Sequence, residues 1–209
     1  GVERVLENLA GAGLGIPLAF NIAGFTPRDY GLVYERLPGY AAWVEVNISC
    51  PNVEDHSSFE DPEVAEQICP YLKPKFTPLL LKIPNTRDTR LLERYLRLAV
   101  DCGMDGIVAG NTRRINYDGV NAGLGGPDIY PVTLNMVRFL RSKAPEGFVI
   151  IGVGGVDSGR AARTLLQTGA DLVEVVSAVV TRGPGVISEI NRTLARPVRR
   201  RILPYNTRP

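Results

Sequence analysis

"IIGVGGVDSGRAA", residues 150–162, indicates the fold more directly than any other stretch of the 209-residue chain. Its apolar start is typical of a buried strand, and its glycines are typical of a tight turn. Asp157 or Ser158 can cap the helix that follows, "GRAARTLLQTG", which Gly169 ends. The stretch therefore predicts one β/α unit with a glycine-lined turn.

The same unit repeats along the chain. The predicted strands are "IPLAFNIAG" (16–24), "WVEVNISC" (43–50), "PLLLKIP" (78–84), "GIVAGNT" (106–112), "FVIIGVGG" (148–155) and "LVEVVSAVV" (172–180). Helical patterns lie between them: Thr26-Pro27 opens "RDYGLVYERL", and a helix over 88–99 precedes Gly103. Strands that alternate with helices predict an α/β fold with a parallel sheet, either open and doubly wound or closed as a (β/α)₈ barrel.

Polar or small residues at the carboxyl ends of nearly all six strands favour the (β/α)₈ TIM-type barrel, because an open sheet gathers its ligand groups around one switch point. These residues are Asn21, Asn47, Cys50, Lys82, Asn111, Thr112, Gly154, Gly155 and Ser177. Six units make three quarters of a barrel. Phosphate sites in such barrels use the loops after strands seven and eight. The chain is therefore predicted to hold strands 3 to 8, with strands 1 and 2 absent from it.

Gly154 and Gly155 follow one predicted strand, and Ser177 and Ala178 end the next. Backbone N–H groups at such a strand-to-helix turn can close on a phosphate. We expect these four residues to form a phosphate cradle. The alternative is a glycine-rich turn without a ligand, since glycine pairs occur in many turns.

Lys82 ends an otherwise apolar strand, where an ammonium group needs a partner that offsets its desolvation. A cofactor with electron-rich oxygens would be such a partner. The alternatives are that the side chain extends to solvent or pairs with a nearby acid such as Glu45.

Cys50 lies between Asn47 and Asn52, and Pro51 stiffens the turn. Two amides beside a thiol can orient a small polar ring, and a thiol becomes a usable general base once its surroundings stabilise the thiolate. The alternative is a small buried core residue, the commoner role of an isolated cysteine.

Composition excludes several function classes. The 24 basic and 22 acidic residues leave a net charge of +2, which predicts no nucleic-acid partner. The sequence predicts one domain over 1–195. It is followed by a basic tail over 196–209, in which arginines concentrate. The three cysteines form no C-x-x-C pair, so the sequence suggests neither a disulfide framework nor a zinc or other metal site, and a cytosolic setting is expected. "GVERVLENLAG" indicates an amphipathic helix, and no apolar run predicts a membrane span.

Five separated motifs resemble those of the dihydroorotate dehydrogenases. They are "VEVNISCPN" (44–52), "LLLKIPN" (79–85), "GIVAGNT" (106–112), "AGLGGPDIYPVTLNMV" (122–137) and the whole of 150–194. The resemblance runs from about Ile16 to Leu194. The cysteine in "NISCPN" is similar to that of the cytoplasmic class 1 enzymes, whereas the membrane-associated class has serine there.

The resemblance implies an FMN-dependent oxidation of dihydroorotate to orotate, in pyrimidine biosynthesis, on a (β/α)₈ barrel. Cys50 matches the base that takes the C5 proton while a hydride passes from C6 to flavin N5, and Lys82 matches the lysine at the flavin N1/O2 edge. The residues that match substrate contacts are Asn47, Asn52, Asn111 and Thr112. Those that match cofactor contacts are Lys82, Asn111, Gly125, Gly154, Gly155, Ser177 and Ala178, with Gly125 in the place of a family serine.

The resemblance also implies that part of both sites comes from the two absent strands. A completing N-terminal segment, a partner subunit or a homo-oligomer would supply it. The electron acceptor stays open among fumarate, NAD through a partner, and a quinone. Two other functions stay open as well: a related flavin oxidoreductase acting on another reduced pyrimidine, and an inactive barrel remnant that binds a phosphate ligand or serves as an interaction domain.

Overall fold

Parallel strands with helices between them form the centre of the molecule. The computed structural model describes residues 1–10, 15–49, 59–72 and 77–195. The strands in these ranges are β1 Ala19–Ile22, β2 Trp43–Asn47, β3 Leu79–Ile83, β4 Gly106–Ala109, β5 Arg113–Tyr117, β6 Val120–Leu124, β7 Val149–Val153 and β8 Leu172–Glu174. Six of them form one parallel sheet in the order β1-β2-β3-β4-β7-β8. Each of the six predicted strands is present, which confirms the α/β prediction.

Helices follow the strands as the periodicity predicts. Their bounds are α1 Val2–Ala10, α2 Pro27–Arg36, α3 Pro62–Ala65, α4 Thr89–Asp101, α5 Tyr130–Lys143, α6 Gly159–Thr168, α7 Ser177–Arg182 and α8 Gly185–Ala195. Short 3₁₀ turns cover Glu66–Tyr71 and Pro127–Ile129. Among the described residues, no helix combines the length and apolarity that crossing a membrane requires.

Local capping sets where the helices begin. The Thr26 side chain accepts from the backbone N–H of Asp29, whose carboxylate accepts in return from the Thr26 N–H, so a capping box opens α2. Ser158 caps α6 by accepting from Ala161 N, and Gly169 ends that helix at a φ of 124°. The predicted starts at Thr26 and Ser158 and the predicted stop at Gly169 are confirmed.

The two faces of the sheet bury different side chains. On the outer face, alternate strand residues such as Val46, Leu81 and Ile107 pack with the helices in the main core. On the inner face, Leu80, Val108, Ile151 and Val153 form a second apolar cluster, against which Trp43 and Val149 pack. Because strand side chains alternate in direction, Glu45 and Asn47 share the face of Trp43, and Lys82 shares the face of Leu80. The inner face thus carries an apolar layer beneath a polar layer at the carboxyl ends of the strands.

The sheet curls around this inner face. β3 and β8 are separated by β4 and β7, so in a flat sheet they would lie about 14 Å apart at the usual spacing between strands. Nevertheless, Lys82 Nζ on β3 lies 2.7 Å from Glu174 Oε2 on β8. A contact this short requires the curvature of a barrel wall.

The hairpin formed by β5 and β6 was not predicted. These strands pair antiparallel across a turn at Asp118 and Gly119, with φ values of 49° and 82°. An Asp-Gly pair is a strong hairpin signal, because both residues tolerate positive φ. The "YDGV" sequence carried that signal.

The predicted last strand was too long. "LVEVVSAVV" (172–180) forms a strand only over Leu172–Glu174, and Ser177 starts α7. Apolar runs of this length do not separate a strand from a buried helix by periodicity alone. Ser177 and Ala178 therefore belong to the first turn of a short helix and not to a strand end.

Two of the three cysteines are paired, and the expectation of no disulfide was wrong for them. Cys69 is bonded to Cys102, with 5.6 Å between their Cα atoms, so the turn over Glu66–Tyr71 is tied to the end of α4. The sequence could not indicate this pairing because the two residues are 33 positions apart. Disulfides are rare in reducing compartments, so the cysteine pattern no longer favours a cytosolic setting.

We predict that the protein, once unfolded in the absence of a reductant, has one free thiol, that of Cys50, because the chain has three cysteines and Cys69 is paired with Cys102. Mass spectrometry after iodoacetamide labelling should count one modified cysteine, and three after reduction. Reduction should also lower the free energy of unfolding by about 3 to 4 kcal/mol, as expected for a loop of this length. Three labelled cysteines before reduction would contradict the pairing.

Candidate active site

A cavity of about 420 Å³ opens at the carboxyl ends of the inner-face strands. Its lining includes these residues that the sequence singled out: Lys82, Asn111, Thr112, Gly125, Gly154, Gly155, Ser177 and Ala178. Its volume falls in the range of small-molecule sites, about 300 to 1,000 Å³. One concave site therefore brings together residues that are almost 100 positions apart in the chain.

Lys82 lines this cavity and lies between two carboxyl groups. Its Nζ is 2.9 Å from Glu45 Oε2 and 2.7 Å from Glu174 Oε2, and the three side chains are 12%, 8% and 20% exposed respectively. The structure shows the alternative in which Lys82 pairs with a nearby acid, Glu45, and it adds a second acid, Glu174; the contact of Lys82 with a cofactor stays a prediction. Lys82 can pair with both glutamates and still contact a ligand in the cavity, because its ammonium group has three N–H donors and the glutamates use two of them.

The three groups shift one another's pKa. Burial works to lower the pKa of Lys82, but the charges of Glu174 and Glu45 outweigh it, and the pKa is raised. Burial works to raise the pKa of Glu45, yet the Lys82 charge and several hydrogen bonds lower it. For Glu174, burial, together with the neighbouring Glu45, raises the pKa to about 7 despite Lys82. The pKa values of the two glutamates are thus shifted in opposite directions, and of the two only Glu45 has hydrogen-bond donors at both carboxyl oxygens.

A network of amides continues from Glu45 towards the predicted substrate side. Asn21 Nδ2 donates to Glu45 Oε2 at 2.8 Å, Asn47 Nδ2 donates to Asn21 Oδ1 at 3.1 Å, and Asn111 Nδ2 lies 3.5 Å from Asn47 Oδ1. Asn111 Nδ2 also donates to Ser49 Oγ at 2.8 Å. The predicted site residues Asn47 and Asn111 are therefore held in fixed orientations by a chain of hydrogen bonds that ends at the lysine.

Fully buried side chains from the helices fix the ends of the strands. Tyr30 on α2 donates from its hydroxyl to the Asn47 carbonyl at 2.9 Å, and Thr133 on α5 donates to the Val153 carbonyl at 3.1 Å. Each bond satisfies a buried carbonyl where a strand ends and the loop begins. The backbone that carries Asn47 and the glycine turn is thereby anchored to the outer layer.

The glycine turn after β7 can only be built from glycine. Gly154 and Gly155 have φ values of 116° and 76°, a region that side chains disfavour. A Cβ on Gly154 would lie 2.7 Å from Thr133 Oγ1, and one on Gly155 would lie 2.6 Å from Tyr130 Cβ. The turn therefore presents bare backbone to the cavity.

Two buried polar atoms at the cavity have no hydrogen-bond partner among the described residues. They are Thr112 Oγ1 and Glu174 Oε1. A buried polar group without a partner is costly, so such atoms commonly mark a place where a ligand binds. Both residues line the cavity.

Cys50 and Asn52, predicted as the base and a substrate contact, lie outside the described residues. The described chain reaches Ser49, which is buried and bonded to Asn111. The roles of Cys50 and Asn52 stay predictions.

Sequence reasoning missed several cavity residues as members of the site, and two of them are the charged residues Glu174 and Arg182. Glu174 lay within an apolar run, and only its place on the inner face of β8 relates it to Lys82. Arg182, at the end of α7, lines the cavity; it donates to the Asp157 carbonyl and to Glu189 Oε2, each at 2.6 Å. The sequence carried no signal for Arg182, because its segment was assigned to the stretch after a strand.

Comparison with known proteins gives curated relatives that are similar to this chain over most of its length. A protein of Vibrio vulnificus named dihydroorotate dehydrogenase (quinone) is 32% identical over 219 residues, covering 93% of this chain and 65% of the relative. A protein of the same name from Vibrio atlanticus is 30% identical, with the same coverage. The chain thus spans about 65% of the length of these relatives. Their names carry the quinone class, so the class 1 prediction is not confirmed.

Solved structures share the fold. A crystal structure of the Eimeria tenella enzyme, described as DHODH in complex with ferulenol, superposes with a TM-score of 0.78 at 19% identity over 92% of this chain and 61% of that one. A ligand-free crystal structure from the same organism gives 0.77. With the curled parallel sheet, this likeness supports an α/β fold of TIM-barrel type.

The family comparison covers almost the whole chain. The family model described as dihydroorotate dehydrogenase matches residues 2–198. The match includes every strand and helix given above and all the residues of the cavity. The chain therefore belongs to the dihydroorotate dehydrogenase family.

Proposed function

We propose that this chain carries the cofactor and substrate sites of a dihydroorotate dehydrogenase, an oxidoreductase that converts dihydroorotate to orotate with FMN in pyrimidine biosynthesis. The observation that carries the proposal is the single cavity lined by Lys82, Asn111, Gly154, Gly155 and Ser177. These residues come from three motifs that are well separated along the chain, 79–85, 106–112 and 150–194. Their convergence is expected if the motifs serve one ligand.

The chain's residues fit a flavin mononucleotide. Gly154 and Gly155 offer bare backbone for a phosphate, and the first-turn N–H groups of Ser177 and Ala178 have no acceptor within their own helix. Lys82 and the buried Thr112 hydroxyl offer donors for the polar edge of a ring. FMN, when bound, supplies the acceptor for the hydride that leaves C6 of dihydroorotate.

The buried ammonium of Lys82 stabilises negative charge at the ring edge. It is held by Glu45 and Glu174 in a site where water is largely excluded, so its field is weakly screened. The apolar layer beneath it, with Leu80 and Val108 both 2% exposed or less, closes the site from below. Lys82 thus binds and orients, and it favours the charge that develops during reduction.

On the substrate side, Asn47, Asn111 and Thr112 would hold the pyrimidine ring. Asn47 and Asn111 are orientated by the amide network, so their rotation on binding is restricted. In this proposal Cys50 takes the C5 proton and Asn52 adds an amide; both roles rest on the resemblance of "NISCPN" to the class 1 enzymes.

A quinone is a second candidate for the electron acceptor. The observation that favours it is the similarity of the chain to relatives that are named dihydroorotate dehydrogenase (quinone). Assays of dihydroorotate oxidation with a quinone, with fumarate and with NAD, each as the sole acceptor, distinguish the candidates. Turnover with fumarate alone would support class 1, and turnover with a quinone alone would support the class of the relatives.

We further propose that the six parallel strands correspond to strands 3 to 8 of the family's barrel. The two outermost strands, β1 and β8, each have one neighbour in the described sheet. Two further β/α units, from the same polypeptide or from a partner subunit, would pair with them and close the barrel. Assays of activity should therefore use the full gene product.

The first test follows the yellow colour of bound flavin and its loss when the flavin is reduced. We expect the purified full gene product to be yellow or to become yellow with FMN, and to bleach anaerobically when dihydroorotate is added. Cys50→Ala should keep FMN bound but slow flavin reduction by about 100-fold to 10,000-fold, as for loss of a general base. Stopped-flow absorbance measures both.

A matched control replaces the other two cysteines. Cys69→Ala with Cys102→Ala removes the disulfide, which lies on the outer helical layer, and should leave the rate of flavin reduction within a few-fold of the original. Equal rates in the original protein and in Cys50→Ala would refute Cys50 as the base. A protein that stays colourless with added FMN would refute the flavin assignment.

A second prediction concerns the buried ion pairs. Lys82→Met leaves the carboxyl groups of Glu45 and Glu174 together without a cation, and it should lower the free energy of unfolding by about 3 kcal/mol at neutral pH. Adding Glu174→Gln should restore part of the loss, because one carboxyl group is then neutral. Urea unfolding followed by circular dichroism measures both.

The control is Lys143→Met, at an exposed lysine in the last turn of α5. It should change the free energy of unfolding by less than about 0.5 kcal/mol, as for most surface substitutions. If Lys82→Met is as stable as Lys143→Met, the ion pairs do not hold the inner face together.

A further inference from the structure

Glu174 differs from Glu45 in how many donors it meets. Glu45 Oε1 accepts from Trp43 Nε1 at 3.2 Å, and its Oε2 accepts from Asn21 and from Lys82 at 2.8 and 2.9 Å. Glu174 Oε2 accepts from Lys82 alone, and Oε1 is buried with no partner in the described part of the chain. Both oxygens of Glu45 are satisfied, whereas half of the Glu174 carboxyl group is free at the cavity.

The balance of charge in this site indicates which of the two carboxyl groups carries a proton. Two carboxyl groups share one ammonium in a buried site, and like charges at that distance resist ionising together. Glu45 has the donors that stabilise a carboxylate, so the neutral group is Glu174, in agreement with the rise of its pKa to about 7. The site is neutral with Glu174 protonated and carries one negative charge when Glu174 is ionised.

The other charged groups at this cavity lie towards the glycine turn. They are Asp157, which precedes α6, and Arg182, which is held by Glu189 at 2.6 Å. The strand next to β8 contributes Val153 opposite Glu174, which is apolar. Among the residues that the structure describes, Lys82 and Glu45 are therefore the charges that face Glu174 directly.

We propose that Glu174 is a positioning residue that carries the exchangeable proton of this site and couples it to the charge of the bound cofactor. The inference rests on the proposed flavin function. When two electrons from dihydroorotate place negative charge beside Lys82, an ionised Glu174 takes up one proton from solvent, and the charge of the site is restored. When the electrons leave for the acceptor, the proton returns to solvent.

The test is the pH dependence of the reduction potential of bound FMN, measured by spectroelectrochemical titration. Above about pH 7, where Glu174 is ionised before reduction, the potential of the original protein should fall more steeply with pH than that of Glu174→Gln. Glutamine keeps the shape and an amide donor but cannot titrate. A merely structural role would not change this slope.

Glu60→Gln is the matched control. Glu60 is also a half-buried carboxyl group whose pKa is raised by burial, against the attraction of Arg114, but it lies outside the cavity. Its replacement should leave the slope as in the original protein. Equal slopes in the original protein and in Glu174→Gln would overturn the proposal.

A second measurement needs no flavin. Because the folded-state pKa of Glu174 is raised from 4.5 to about 7, the stability that its neutral form contributes is complete below about pH 4.5 and is lost as pH rises through about 7. The unfolding equilibrium constant of the original protein, relative to that of Glu174→Gln, should therefore rise about tenfold or more between about pH 5 and about pH 8. Urea unfolding measures it.

The two measurements separate this inference from the proposed function. A protein that binds no FMN overturns the proposed function and the coupling to it, while the unfolding series still decides whether Glu174 holds a proton. If the ratio of the unfolding equilibrium constants of the original protein and Glu174→Gln does not change with pH, Glu174 holds no such proton. The inference is then overturned even if FMN binds.

Discussion

The buried ammonium of Lys82 is the constraint on which the inner face depends. It binds Glu45 on the neighbouring strand and Glu174 on a strand three positions away in the sheet. The second contact exists only in a curled sheet, and the curl brings the carboxyl ends of β3, β4, β7 and β8 around one cavity. A lysine in this place would be destabilising without both acids, since burial alone works against its charge. The interaction therefore joins the shape of the fold to the electrostatics of the site.

The polar layer above the apolar inner cluster works as one connected unit. Hydrogen bonds run from Asn111 through Asn47 and Asn21 to Glu45, and from there the lysine connects to Glu174. Such a network fixes side chains that would otherwise rotate, and it lowers the cost of ordering them when a ligand binds. At the other end of the cavity the glycine turn offers backbone groups and no side chains. A ligand with a flat polar ring at one end and a phosphate at the other matches this division.

The sequence predicted the parts of the site that follow from position along a strand. Lys82 and its partner Glu45 could be anticipated because a charge in an apolar strand needs a counter-charge, and Gly154 because a glycine pair ends a β-run. Glu174 could not be anticipated, since its contact with Lys82 depends on curvature that brings non-adjacent strands together. Ser177 was assigned to a strand because apolar runs do not separate strands from short helices. Features that depend on a residue's place along its own strand could thus be predicted from the sequence. Contacts between strands that are not neighbours could be identified only from the folded structure.

The central claim is that the ends of these strands converge on one flavin site with Lys82 at its polar edge. A crystal structure of the full gene product grown with FMN tests it most directly. The account predicts the flavin ring against Lys82 and the phosphate at the backbone of Gly154, Gly155, Ser177 and Ala178. FMN bound elsewhere, or a cavity filled by the protein's own side chains, would contradict it.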